Sequence, residues 1–112
     1  MKITPRYLAT MYYMLAALPP FNRFKLPSEH EVDFKINRSS MLLGSYDVDP
    51  HLIIISRVAC HDYKEVMETL AHEMVHLALE QRGASDHSDH DSAFNCLAAE
   101  VCTIWGWDFK EF

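Results

Sequence analysis

Cysteine is scarce in this 112-residue chain and is not spaced for pairing. Cys60, Cys96 and Cys102 form no CxxC motif, and an odd count closes no disulfide framework. Three reduced, buried thiols in a cytoplasmic protein are the expectation, with no appended zinc ribbon or zinc finger. Long hydrophobic runs are also lacking. No stretch approaches the roughly 20 apolar residues of a transmembrane helix, so no membrane role is expected. Lys2 and Arg6 precede apolar residues much as in a signal peptide, yet polar positions interrupt the run and no A-x-A cleavage site follows. Repeats, low-complexity tracts and long linkers are absent too. Residues 1–112 are therefore expected to form a single domain with one modest core.

Positive charge is thin in the second half of the chain. Residues 1–57 carry seven Lys/Arg against five Asp/Glu, whereas residues 58–112 carry three against eleven. An acidic half of this kind suits a bound dication and disfavours contact with a phosphate backbone. Nucleic acid is thus not supported by charge as a partner. Only Arg23, Lys25, Lys35 and Arg38 offer a modest basic patch.

Thr4 followed by Pro5 reads as a helix start, a capping side chain and then proline in the first turn. Leu8, Met11, Leu15 and Leu18 recur at helical spacing until Pro19-Pro20 stops the run. VDFKINRS alternates as a half-buried strand, MLLGSYDV is a weaker strand candidate in which Gly44 marks a bulge, and HLIIIS is the strongest strand signal. DVDPH supplies turn chemistry between the last two. From Tyr63 to about Arg82 the pattern turns helical. Val66, Leu70, Met74 and Leu77 form a buried stripe there, and Glu65, Thr69, His72, Glu73, His76 and Glu80 line the opposite side. Gly83 ends that helix. A third helix is expected to begin with Ser88 as its cap and Asp91 three residues on, with His90, Phe94, Leu97, Val101 and Ile104 on one face. The fold class that follows is α+β: an N-terminal helix, a small, mainly antiparallel three-stranded sheet, the motif helix and a C-terminal helix, a minimal zincin-like core.

Within the long helix stands HEMVH. His72 and His76 lie one turn apart, so their imidazoles can aim at one point, and Glu73 beside the first is placed to act as a general base. A zinc hydrolase needs a third protein ligand and an open fourth position. Two downstream histidines are offered. His90 falls on the inner face of the third helix and is the expected ligand, while His87 lies in the polar loop before it. His30, His51 and His61 sit beside turns and read as surface or capping histidines. Tyr46, Trp105 and Trp107 read as core or rim packing rather than substrate contacts.

The run LLGSYDVDPHLIIISRVACHDYKEVMETLAHEMVHLALEQRGASDHSDHDSAF resembles the metallopeptidase domain of the SprT-like family, which includes the Spartan proteases. The resemblance covers residues 42 to 105 or so, with HEMVH at 72–76 and HDSAF at 90–94 as its most specific parts. It implies Zn2+ as cofactor, zinc ligands at His72, His76 and His90, and a catalytic glutamate at Glu73. Asp91 departs from the family pattern by standing where a glycine is usual. The implied activity is zinc-dependent endopeptidase action on a protein or peptide substrate, whose backbone is expected to pair with the HLIIIS strand. The alternative is a catalytically inactive zinc-containing module that binds a protein partner. Glu73 separates the two, since a purely structural metal site has no use for a base beside its ligand.

Overall fold

Thr4 opens the first element as its sequence predicts. Its hydroxyl accepts the Tyr7 N–H at 3.0 Å, and Pro5 begins α1 (Pro5–Ala16). A computed structural model describes residues 1–83 and 92–112 of the chain. The buried stripe of α1 is Leu8, Tyr12 and Leu15. Leu18 lies beyond the helix end and is exposed, so it does not extend the stripe. Tyr12 satisfies its buried hydroxyl by donating to the Pro27 carbonyl at 2.6 Å.

The three strand signals become β1 (Asp33–Asn37), β2 (Gly44–Asp47) and β3 (Leu52–Ser56). Their pairing differs from the expected, mainly antiparallel arrangement. The order is β1-β3-β2, with β1 parallel to β3 and β2 antiparallel to it, which makes the sheet mixed. Hydrophobicity explains the arrangement: Ile53 and Ile55 are fully buried, and the most apolar strand takes the centre, where both its edges are paired. The chain therefore leaves β1, forms β2 at the far edge and returns through a turn to fill the gap between them. β3 is the central strand and has no edge for a substrate to join, so the expected pairing of substrate with HLIIIS does not hold.

Gly44 pairs regularly with Ile55 and marks no bulge. Its role is close approach. A Cβ there would sit 2.8 Å from Thr69 Cγ2 and 2.9 Å from the Ile54 carbonyl oxygen, so β2 lies against the following helix only because a side chain is missing. Gly44→Ala should destabilise the fold by about 1–3 kcal/mol through overpacking, a melting-temperature loss on the order of 5–15 °C. An unchanged thermal melt would show that this contact is slack.

α2 (Tyr63–Gln81) begins where Asp62 accepts the Glu65 N–H at 2.8 Å, and Gly83 takes a positive φ of 75° just past its end. The helix packs against α1, β2, β3 and α3 (Ser92–Trp105). Enclosure on several sides buries more than the predicted stripe: Thr69, Ala71, Glu73, Val75, His76, Ala78 and Leu79 join Val66, Leu70, Met74 and Leu77. The expected clean division into an apolar and a solvated face thus fails. On α3, Phe94, Leu97 and Val101 are buried as predicted, joined by Ala98 and Cys102, while Ile104 is 47 % exposed. The expected helix start at Ser88 lies outside the described residues. Among the cysteines Cys60 and Cys102 are buried, whereas Cys96 is exposed, contrary to expectation. Among the described residues the architecture is α+β, three helices with a small mixed three-stranded sheet, and no helix is long and apolar enough to cross a membrane.

Candidate metal centre

His72, Glu73 and His76 occupy the middle of α2, where the helix is most enclosed. Glu73 and His76 are each only 6 % exposed, and His72 is half-buried. The two imidazole centroids are 5.0 Å apart with the rings inclined at 63°. A tetrahedral zinc with Zn–N bonds of about 2.0–2.1 Å places the centroids of two imidazole ligands roughly 5.2 Å apart. The observed spacing fits that requirement.

Each ring is held from outside the helix. Phe94 of α3 lies 5.0 Å from His72 and 4.6 Å from His76, centroid to centroid, so α3 packs its first buried aromatic onto both candidate ligands. The main-chain oxygen of Phe112 lies 2.5 Å from His72 Nδ1. A main-chain oxygen only accepts, so Nδ1 carries the proton and Nε2 is the ring nitrogen left to face a metal. Nothing in the sequence pattern announces this contact, since a main-chain acceptor 40 residues away leaves no trace in periodicity or motif.

Glu73 and His72 line a cavity of about 420 Å³, together with Thr69 one turn earlier, Leu43 and Gly44 at the start of β2, and Glu111 and Phe112. The Glu73 carboxylate forms no hydrogen bond within the described residues. Burial alone pushes its pKa up to about 8. A carboxyl group held in this way is primed to take and return a proton, and a dication bound beside it would draw the pKa back down. The cavity mouth is acidic, with Glu65, Glu68 and Glu111, and Lys64 pairs with Glu68 at 3.1 Å.

The third ligand expected at His90 and its rival His87 lie outside the described residues, as does Asp91. Among the described residues no group of three or more His, Cys, Asp or Glu side chains is placed to hold a metal ion. The donors present nonetheless suit zinc: two imidazoles one helical turn apart, at a spacing a tetrahedral ion accepts, beside a buried carboxylate. His30 and His61 are exposed, each beside a glutamate, and His51 meets the Tyr46 hydroxyl at 2.7 Å, so none of the three joins the site. Trp105 and Trp107 are half-buried and stacked on each other at 5.5 Å, which is rim packing as predicted. Arg23 of the expected basic patch is paired with Glu100.

Residues 12–107 match the model of the SprT-like family. The chain belongs to that family. No curated protein and no solved structure matches the chain. The family match takes in all three strands, α2 and α3, and with them the HEMVH segment on this SprT-like chain. It ends before residues 108–112, which bring Glu111 and Phe112 to the cavity.

Proposed function

We propose that this SprT-like chain is a zinc-dependent metalloendopeptidase with a zincin-like core. The observation that carries the reading is Glu73: an almost fully buried carboxyl group without a hydrogen bond among the described residues, sharing one cavity with the adjacent His72. A partner-binding module gains nothing from burying such a group. Zinc held by His72, His76 and a third ligand expected at His90 would lower the pKa of an attacking water toward neutrality and polarise the scissile carbonyl. Glu73 would take a proton from the attacking water and return it to the leaving amine. His72 and His76 keep their positions through Phe94.

Substrate binding falls to β2, which lies at the edge of the sheet. The Ser56 N–H donates to the Leu43 carbonyl, so alternation along the antiparallel ladder turns the main-chain groups of Gly44 and Tyr46 away from β3. Those outward groups can pair with an extended peptide, and Gly44 lines the cavity that holds Glu73. A substrate bound this way must be unfolded locally. The zinc-loaded protein should therefore cleave a denatured protein and spare the native form of the same protein. Equal cutting of both would contradict the edge-strand reading, and cutting of neither would contradict the peptidase.

A further inference from the structure

We propose that residues 106–112 form a positioning element for His72, in which the main-chain oxygen of Phe112 decides which ring nitrogen carries the proton and hence which one faces the metal. The inference rests on the peptidase reading for its purpose, though not for its geometry. The 2.5 Å contact from His72 Nδ1 to the Phe112 oxygen requires Nδ1 to donate. A mobile acceptor could not impose that tautomer, and this one is built in. Gly106 takes a positive φ of 76°, and the Gly106 and Trp107 N–H groups both donate to the Cys102 carbonyl, which turns the chain back at the end of α3. Trp107 then stacks between Trp105, at 5.5 Å, and Phe112, at 6.1 Å, with interplanar angles of 20° and 18°.

The ladder is tied down at its far end by Trp105 Nε1, which donates to the Pro19 carbonyl at 3.0 Å. Near His72 the Glu111 and Phe112 N–H groups return to the Asp108 carbonyl, winding the tail into a turn, and the Phe112 ring leans on the imidazole at 5.3 Å. A metal-ligating histidine whose second nitrogen is held by an acceptor oxygen is fixed in orientation and made a better donor. Here the acceptor itself, Phe112, lies beyond the family match. Phe112 and Trp107 are thus positioning residues that act through His72.

The test compares wild type with Phe112→Gly, Trp107→Ala and the conservative Phe112→Tyr. The first readout is the ¹⁵N spectrum of the His72 ring in metal-free protein at about pH 8.5, above the ordinary histidine pKa of about 6.5. Wild type and Phe112→Tyr should show a single Nδ1–H tautomer, and the other two variants a mixture. Zinc affinity, measured by competition with a chelating dye, should fall about 10–100-fold in Phe112→Gly and Trp107→Ala and recover in Phe112→Tyr. Should Phe112→Gly lose its fold by circular dichroism, Trp107→Ala carries the test, because it weakens the ladder without altering the residue that makes the contact. An Nε2–H tautomer in wild type, or a folded variant with the wild-type tautomer and affinity, overturns the proposal. The tautomer is read without metal, so it stands apart from whether the protein cuts peptides.

Discussion

Glu73→Gln should leave zinc bound at the wild-type stoichiometry and lower the rate of cleavage of an unfolded protein by about 10²–10⁴-fold, the range that a positioned general base contributes. Glutamine keeps the shape of the side chain and its place in the cavity while removing the atom that accepts a proton. It also removes a cost. Glu73 is nine-tenths buried with no hydrogen bond among the described residues, so its charged form is poorly accommodated in the metal-free protein, and a neutral amide there costs less. The metal-free variant should consequently melt at or above the wild-type temperature. Loss of activity with retained stability and metal is the signature of a catalytic group. Retained cleavage would remove Glu73 from the mechanism.

His90→Ala should weaken zinc binding far more than His87→Ala. Structural zinc sites with four ligands bind with roughly 10–16 kcal/mol, so one ligand is worth roughly 3–4 kcal/mol, or about 10²–10³-fold in affinity. Under saturating zinc that loss also removes linked stability, a fall in melting temperature on the order of 10 °C or more. His87→Ala should change neither quantity measurably. The basis is the sequence and the family resemblance at HDSAF, joined by one packing fact. Phe94, four residues after His90 in sequence, rests on both His72 and His76, so α3 brings this part of the chain to the two candidate ligands. If His87→Ala strips the zinc and His90→Ala does not, the loop before α3 supplies the ligand and the resemblance at HDSAF has been misread.

What could be read from the sequence was local. Thr4-Pro5 and Gly83 bound their helices because capping and positive φ are properties of single residues. The three strands lie where alternation and β-branching placed them. Their order was not legible, because it depends on which strand is most enclosed after packing, and the short link between β1 and β2 reads like a hairpin although it spans the gap that β3 later fills. Helical periodicity likewise gave one buried face of α2. It could not reveal that α1, α3 and two strands would surround the helix and bury His76 and Glu73 as well. At the site, HEMVH was plain in the sequence, and the hold on His72 by Phe112 was not, since main-chain acceptors have no side-chain signature. Gly44 stands out in the strand pattern, but its missing side chain serves the approach of β2 to α2 at Thr69 rather than a bulge.

The central claim is that peptide cleavage by this chain depends on one zinc held by the α2 histidines. Its most direct test is to strip the protein of metal with a chelator, return zinc in measured steps and follow cleavage of an unfolded protein. Cleavage should be absent at the start, rise in proportion to added zinc and level off at one equivalent per chain, with His72→Ala and His76→Ala flat throughout. Cleavage by the metal-free protein, or a zinc-loaded protein that binds the substrate without ever cutting it, would contradict the account.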